Sequence, residues 1–290
     1  MPLPAASAVI VETPRDAFQG LGKIIPTPEK VRYIKALLDA GLAHVDLGSF
    51  VSPKAVPQMA DTREVIDALR AHKGFERIAL VANEQGVERA IGCGGLDTLG
   101  YPFSFSDEFQ KRNTRKTIAE SWPLCERLAA QIQDADMGFL VYVSMAFGNP
   151  YKEAWDEARL LEFCGGLHRF GVRHIALSDT VAVANPAQVG RVFKAACAAY
   201  PDVEFSVHLH GRPQDWQGNI EAALDAGCRR FDAAAGGMGG CPFAQDKLVA
   251  NIPSEGLAAL LARRGLATGI DQGKLDACAR LAQEFQARYS

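Results

Sequence analysis

Short apolar, β-branched runs alternate along this chain with longer segments of helical periodicity. The helical segments carry apolar residues at i, i+3 and i+4 spacing, as Val31, Ile34, Leu37 and Leu38 do in the segment 29–40. The runs predict strands at 8–12, 43–47, 77–81, 98–101, 138–143, 174–177, 204–208 and 230–234. The intervening segments predict helices at 29–40, 62–71, 117–132, 153–170, 186–200 and 218–226.

This alternation of strand and helix predicts a parallel sheet of the α/β class. Eight strand–helix repeats fit a (β/α)8 TIM barrel, which typically has about 250 residues. No linker or low-complexity segment divides the chain, so residues 1–290 are predicted to form a single domain. We expect the barrel over about 8–250 and a C-terminal helical extension over about 251–290, with helical stretches at 255–264 and 273–289.

The composition is that of an ordinary soluble globular protein. The 290 residues are 48% hydrophobic and 22% charged, and the net charge of −3 favours no nucleic-acid partner. No run reaches the roughly 20 apolar residues of a membrane span, and the N-terminus has no basic region typical of a signal peptide. Seven cysteines without a CxxC pair argue against disulfides and a zinc knuckle. These features predict a cytoplasmic protein that does not associate with membranes.

Polar residues cluster at the predicted carboxyl ends of the strands, where the active site of a TIM barrel lies. His208 and His210 stand two residues apart and therefore face the same side of their strand. Alone, they fit either a polar surface or a metal site. The other polar residues at that end of the barrel favour the metal: Arg15, Asp16, Asp46, Asp179 and a glycine-flanked Cys241.

Four segments carry a resemblance to a known family: Pro14-Arg-Asp-Ala-Phe-Gln19, the stretch 48–59, His208-Leu-His210 and the stretch 237–244. Over about residues 9–273 the chain resembles the 3-hydroxy-3-methylglutaryl-CoA (HMG-CoA) lyase family. That family lies within the metal-dependent lyases and aldolases of the pyruvate carboxyltransferase type. The Ser-Phe-Val-Ser-Pro-Lys segment and the Gly-x-Gly-Gly-Cys-Pro loop are specific to the lyase branch.

The resemblance implies that Asp16, His208, His210 and Asn251 bind a divalent cation. The Asn251 match requires a one-residue shift, because the stretch before it differs from the family's glycine-rich sequence. One carboxylate, two imidazoles and an amide oxygen suit Mg²⁺ or Mn²⁺, and Zn²⁺ or Co²⁺ can also bind such a set.

The reaction implied by the resemblance is retro-Claisen cleavage of a 3-hydroxyacyl-CoA to acetyl-CoA and a keto product. In the family pattern, Arg15 stabilises the enolate oxygen and His208 adds an acid/base role to ligation. Asp46, which stands where the family usually has glutamate, and Asp179 are candidates for positioning and proton transfer. Cys241 matches a catalytic-loop thiol, although a free cysteine in a flexible turn is the simpler interpretation of that residue alone.

The chain departs from the family at 19–22, 113–115 and 211–218, and at Met145, where the family usually has cysteine. These departures leave the acyl group open. HMG-CoA is the default substrate; a citramalyl-type or bulkier branched acyl-CoA, and a non-catalytic barrel that binds a CoA ester or metal, are the alternatives. An acyl-CoA is the expected partner, and the resemblance predicts a homodimer or larger homo-oligomer.

Overall fold

The computed structural model describes residues 7–212, 214–239 and 249–290. Its centre is a barrel of eight parallel strands, closed by the pairing of the sixth strand with the seventh. These strands are β1 Val9–Glu12, β2 His44–Ser49, β3 Glu76–Leu80, β4 Thr98–Ser104, β5 Gly138–Ser144, β6 His174–Asp179, β7 Glu204–Gly211 and β8 Arg230–Ala233. The predicted (β/α)8 TIM barrel is therefore confirmed.

Helices surround the barrel and extend beyond it at the C-terminus. They are α1 Pro14–Gln19, α2 Thr27–Asp39, α3 Thr62–Ala68, α4 Glu84–Cys93, α5 Asp107–Thr114, α6 Ile118–Asp134, α7 Glu157–Arg169, α8 Pro186–Ala199, α9 Trp216–Asp225, α10 Ser254–Arg263 and α11 Gln272–Tyr289. A short strand, β9 Ala250–Asn251, pairs antiparallel with the end of β7. Among the described residues, no helix is both long and apolar enough to cross a membrane.

Three helices were not predicted from the periodicity: α1, α4 and α5. The first has only six residues, and the third buries only Phe109 and Gln110, so neither shows an apolar stripe. The strand β7 also extends three residues beyond the predicted end. It stays paired there because β6 accompanies it to Leu209 and β9 continues along it to Gly211.

Side chains alternate between the inside of the barrel and the helical layer. Two apolar clusters separate from the main core occupy alternate strand positions and fill the interior: Val9, Val11 and Ile78, and Leu80, Leu140, Tyr142 and Ala176. At the amino ends of the strands, Glu76 accepts hydrogen bonds from Arg230 (2.7 Å) and Thr98 (2.6 Å). The barrel is thus packed with side chains below the carboxyl ends of its strands.

The C-terminal helix α11 packs against α1, the helix that carries Arg15 and Asp16. The ring of Phe285 in α11 lies 5.9 Å from that of Phe18 in α1 and 5.4 Å from that of Tyr33 in α2. These aromatic contacts hold α1 against the body of the protein. The extension is therefore part of the structure that positions α1.

Candidate active site

Arg15 and Asp16 reach the carboxyl end of the barrel because α1 begins directly after β1. Thr13 donates hydrogen bonds from its backbone nitrogen and its hydroxyl to the carbonyl of Ala233, each 2.9 Å long. Pro14 then occupies the first turn of the helix, where its missing N–H costs nothing. Both charged side chains are almost fully buried, so their charges must be compensated within the site.

Asp16, His208 and His210 form the one group of three or more His, Cys, Asp or Glu residues with metal-binding geometry in the part of the chain that the structure describes. The Nε2 atoms of His208 and His210 lie 3.2 Å apart, and Nε2 of His210 lies 3.7 Å from Oδ2 of Asp16. Adjacent ligands of an octahedral ion with bonds of about 2.1 Å are separated by about 3 Å. The three side chains therefore converge at a spacing that fits one small cation.

The charge of Asp16 is maintained despite its burial. Burial alone would raise the pKa of this carboxyl, but Arg15 and the two histidines lower it well below its ordinary value. Arg15 donates a 2.8 Å hydrogen bond from Nη1 to Oδ1 of Asp16, and Gln19 donates one of 2.9 Å to the same oxygen. A charged carboxylate is the form that a metal requires. Gln19 ends the sequence motif that begins at Pro14, and the motif alone does not indicate this contact with Asp16.

Asp46 lies beneath Arg15 and is completely buried. Its Oδ2 accepts hydrogen bonds from both Nε (2.9 Å) and Nη2 (2.6 Å) of Arg15, while Oδ1 is buried without a partner among the described residues. Burial raises the pKa of Asp46 to about 6, against the opposing effect of Arg15. This geometry favours a role in holding the guanidinium over direct contact with a substrate.

Asp232, which the sequence analysis missed, contacts His208. Its Oδ2 lies 3.0 Å from Nδ1 of the imidazole, and both side chains are buried. Burial lowers the pKa of His208, but the hydrogen bond and charge of Asp232 raise it overall. The available signal in the sequence was an aspartate between the apolar residues Phe231 and Ala233 of β8.

Asn251 reaches the same cluster through strand pairing. In the β7–β9 ladder it stands opposite His210, and its Nδ2 donates hydrogen bonds of 2.9 Å to Oδ2 of Asp16 and to the carbonyl of Met238. The pairing of β9 with β7 thus places the Asn251 amide beside the Asp16 carboxylate.

The remaining predicted site residues differ in their surroundings. Asp179 ends β6 and accepts hydrogen bonds from the backbone nitrogens of Val181, Val183 and Ala184, at 3.4, 3.2 and 2.8 Å. Burial raises the pKa of Asp179, and these N–H groups oppose that effect. Its carboxylate therefore organises the loop after β6. Cys241 lies outside the described residues.

A model of the HMGL-like family matches residues 8–282. The chain belongs to the HMGL-like family. It is 31% identical over 284 residues to the hydroxymethylglutaryl-CoA lyase YngG of Bacillus subtilis, covering 98% of this chain and 94% of that one. It is 34% identical over 280 residues to the (R)-citramalyl-CoA lyase of Chloroflexus aurantiacus, covering 93% and 88% of the two chains.

Solved structures agree with these relatives. The HMG-CoA lyase of Bacillus subtilis superposes with a TM-score of 0.92 at 30% identity, covering 99% of this chain and 96% of that one. The HMG-CoA lyase of Acinetobacter baumannii, in complex with coenzyme A and 3-methylmalate, gives 0.89 at 31% identity, covering 99% and 93%. The protein is thus a carbon–carbon lyase of the HMGL-like family.

Proposed function

We propose that this HMGL-like protein is a divalent-metal-dependent lyase that cleaves a 3-hydroxyacyl-CoA by a retro-Claisen reaction. The observation that carries the proposal is the convergence of Asp16, His208 and His210 beside the guanidinium of Arg15. Three potential ligands and a fixed positive charge together form a site suited to a substrate that develops an enolate.

The donor set fits a divalent cation. Asp16 is held in its charged form, and the Nε2 atoms of the two histidines face one another within the cluster. We assign Asn251 as a fourth ligand through its amide oxygen, with its amide nitrogen bonded to Asp16. When bound, a cation such as Mg²⁺ or Mn²⁺ lowers the pKa of a coordinated substrate hydroxyl and orients the bond to be broken, and Zn²⁺ or Co²⁺ also fits this mixed set.

The reaction then requires one proton to be removed and another to be supplied. Loss of the 3-hydroxyl proton allows the C2–C3 bond to break, which releases the keto product and leaves the acetyl-CoA enolate. We assign the proton acceptor to Asp179, because Asp46 is enclosed beneath Arg15 and the two ring nitrogens of His208 are taken up by Asp232 and the proposed metal. Arg15 stabilises the enolate oxygen. From the family resemblance, Cys241 delivers the proton to C2.

HMG-CoA is the default substrate, and a different 3-hydroxyacyl-CoA is the second candidate. The (R)-citramalyl-CoA lyase relative, 34% identical to this chain, indicates that such a substrate occurs among similar sequences. The chain's departures at 19–22, 113–115 and 211–218 lie outside the proposed ligands. Leu21 is partly buried and Met145 is buried, so these two departures add apolar side chains just after α1 and β5, whereas Arg115 is exposed in the loop before α6.

The test is acetyl-CoA release from a panel of 3-hydroxyacyl-CoA esters, including HMG-CoA and citramalyl-CoA, with Mg²⁺ or Mn²⁺ supplied. Metal-dependent release from at least one ester is the expected result. Binding of the metal or of CoA esters without release from any of them would instead support a non-catalytic barrel. The homo-oligomer stays a prediction, which sedimentation of the same preparation would test.

A further inference from the structure

We propose that Asp232 is a positioning residue that fixes the tautomer and the ring orientation of His208. The consequence for metal binding rests on the proposed function, whereas the tautomer itself does not. Asp232 and His208 belong to neighbouring strands, β8 and β7, and meet inside the barrel.

The contacts around His208 restrain both sides of its ring. Nδ1 lies 3.0 Å from Oδ2 of Asp232, whose side chain is 2% exposed, and Nε2 faces Nε2 of His210 at 3.2 Å. The ring of Tyr142 packs edge-on against the imidazole, with centroids 5.6 Å apart and an interplanar angle of 79°. A rotated ring would lose the aspartate contact.

The chemistry of the pair determines the position of the proton. A neutral imidazole has one N–H and one lone pair, and an ionised carboxylate can only accept a hydrogen bond. The proton of His208 therefore resides on Nδ1, and the lone pair of Nε2 points toward His210 and Asp16. Carboxylates that hold metal-binding histidines in this way raise the basicity of the ligand and fix its direction.

The tautomer can be measured in the metal-free protein. Nitrogen-15 NMR of histidine-labelled protein, at a pH where the imidazole is neutral, should report the Nδ1–H form for His208, identified by the signal lost in His208→Gln. Asp232→Ala should shift that signal toward the Nε2–H form. An Nε2–H form in the unsubstituted protein would overturn the proposal.

Mn²⁺ affinity provides the second readout. Asp232→Ala should weaken Mn²⁺ binding by about 10–100-fold, and Asp232→Asn, which retains an acceptor oxygen, should recover part of that loss. Melting temperatures measured by circular dichroism show which variants are folded, and Mn²⁺ affinity is compared among those. A positioning role predicts that kcat, more than KM, falls in parallel with Mn²⁺ affinity.

A double-mutant cycle separates action through His208 from a general effect on the barrel. In the His208→Ala background, Asp232→Ala should leave the remaining Mn²⁺ affinity unchanged, because the group it positions is gone. Equal weakening in both backgrounds would overturn the proposal. If the unsubstituted protein bound no Mn²⁺, the proposed metal-dependent function would fail, and the NMR result would still decide the tautomer.

Discussion

Arg15 is anchored by Asp46, a residue 31 positions away, through two hydrogen bonds to a single carboxylate oxygen. The same guanidinium bonds Asp16, so one side chain joins the buried carboxylate beneath it to a proposed metal ligand. The orientation of Arg15 is therefore set by β2 as well as by its own helix.

This arrangement predicts a defect in kcat for Arg15→Lys. Lysine retains the positive charge but lacks the planar fork that bonds Asp46 and Asp16 together. The loss of transition-state stabilisation should be on the order of 3–4 kcal/mol, with little change in KM. Steady-state kinetics of Arg15→Lys, with the exposed Arg112→Lys as the control variant, would measure this loss. A change confined to KM would make Arg15 a ground-state clamp instead.

Asp46 should act through Arg15. Asp46→Asn is expected to lower kcat, since the guanidinium loses a charged partner, and the Arg15→Gln/Asp46→Asn double variant should be little worse than Arg15→Gln alone. The four enzymes of this cycle can be compared by acetyl-CoA release. Additive losses would indicate that Asp46 contacts the substrate independently of Arg15.

The proposed metal ligands make a parallel prediction. Asp16→Ala, His208→Ala and His210→Ala should each weaken divalent-ion binding and nearly abolish turnover, because each removes both affinity and geometry. His168→Ala is the matched control, since that histidine is partly exposed and pairs with Asp202 outside the cluster. Unchanged metal content and activity in His210→Ala would remove that residue from the site.

Glu12 should make stability depend on pH. This fully buried carboxyl, at the end of β1, accepts hydrogen bonds from Ser254 and the backbone nitrogen of Ala235. Burial raises its pKa from 4.5 to about 7, and the nearby Glu255 adds to that effect. The folded state therefore holds more protons than the unfolded state between these two pH values.

The free energy of unfolding should consequently decrease as the pH rises from 4.5 to 7, with a contribution from Glu12 on the order of 3 kcal/mol. Glu12→Gln should remove that part of the slope, measured by urea unfolding at several pH values. Glu64→Gln, at an exposed position of α3, serves as the control. An identical slope in Glu12→Gln and the unsubstituted protein would contradict the assignment.

Substrate choice is the final prediction. HMG-CoA should not be the best substrate. Leu21, Met145 and the stretch 211–218 differ from the pattern of the HMG-CoA lyase family, whereas the proposed metal ligands match it. An acyl-CoA with a different or bulkier group on C3 should have a higher kcat/KM, by roughly 10–200-fold at most. If HMG-CoA exceeded every other ester in the panel, these differences would have no bearing on specificity.

The sequence by itself determined the architecture and much of the candidate site. The alternation of strands and helices, and the shared face of His208 and His210, follow from the periods of these elements. Those periods involve residues close together in the sequence, so periodicity was sufficient to predict both features. The motif around Arg15 and Asp16 likewise placed both residues at the barrel's carboxyl end. The short helices α1 and α5 were missed because they bury too few apolar side chains to produce a pattern.

Only the tertiary structure decided how these residues are held. Closure of the barrel brings Asn251 to Asp16 across 235 positions and places Asp232 against His208 on the adjacent strand. It also encloses Asp46 beneath Arg15. Such contacts depend on strand register and burial over the whole barrel, and local residue spacing does not contain that information.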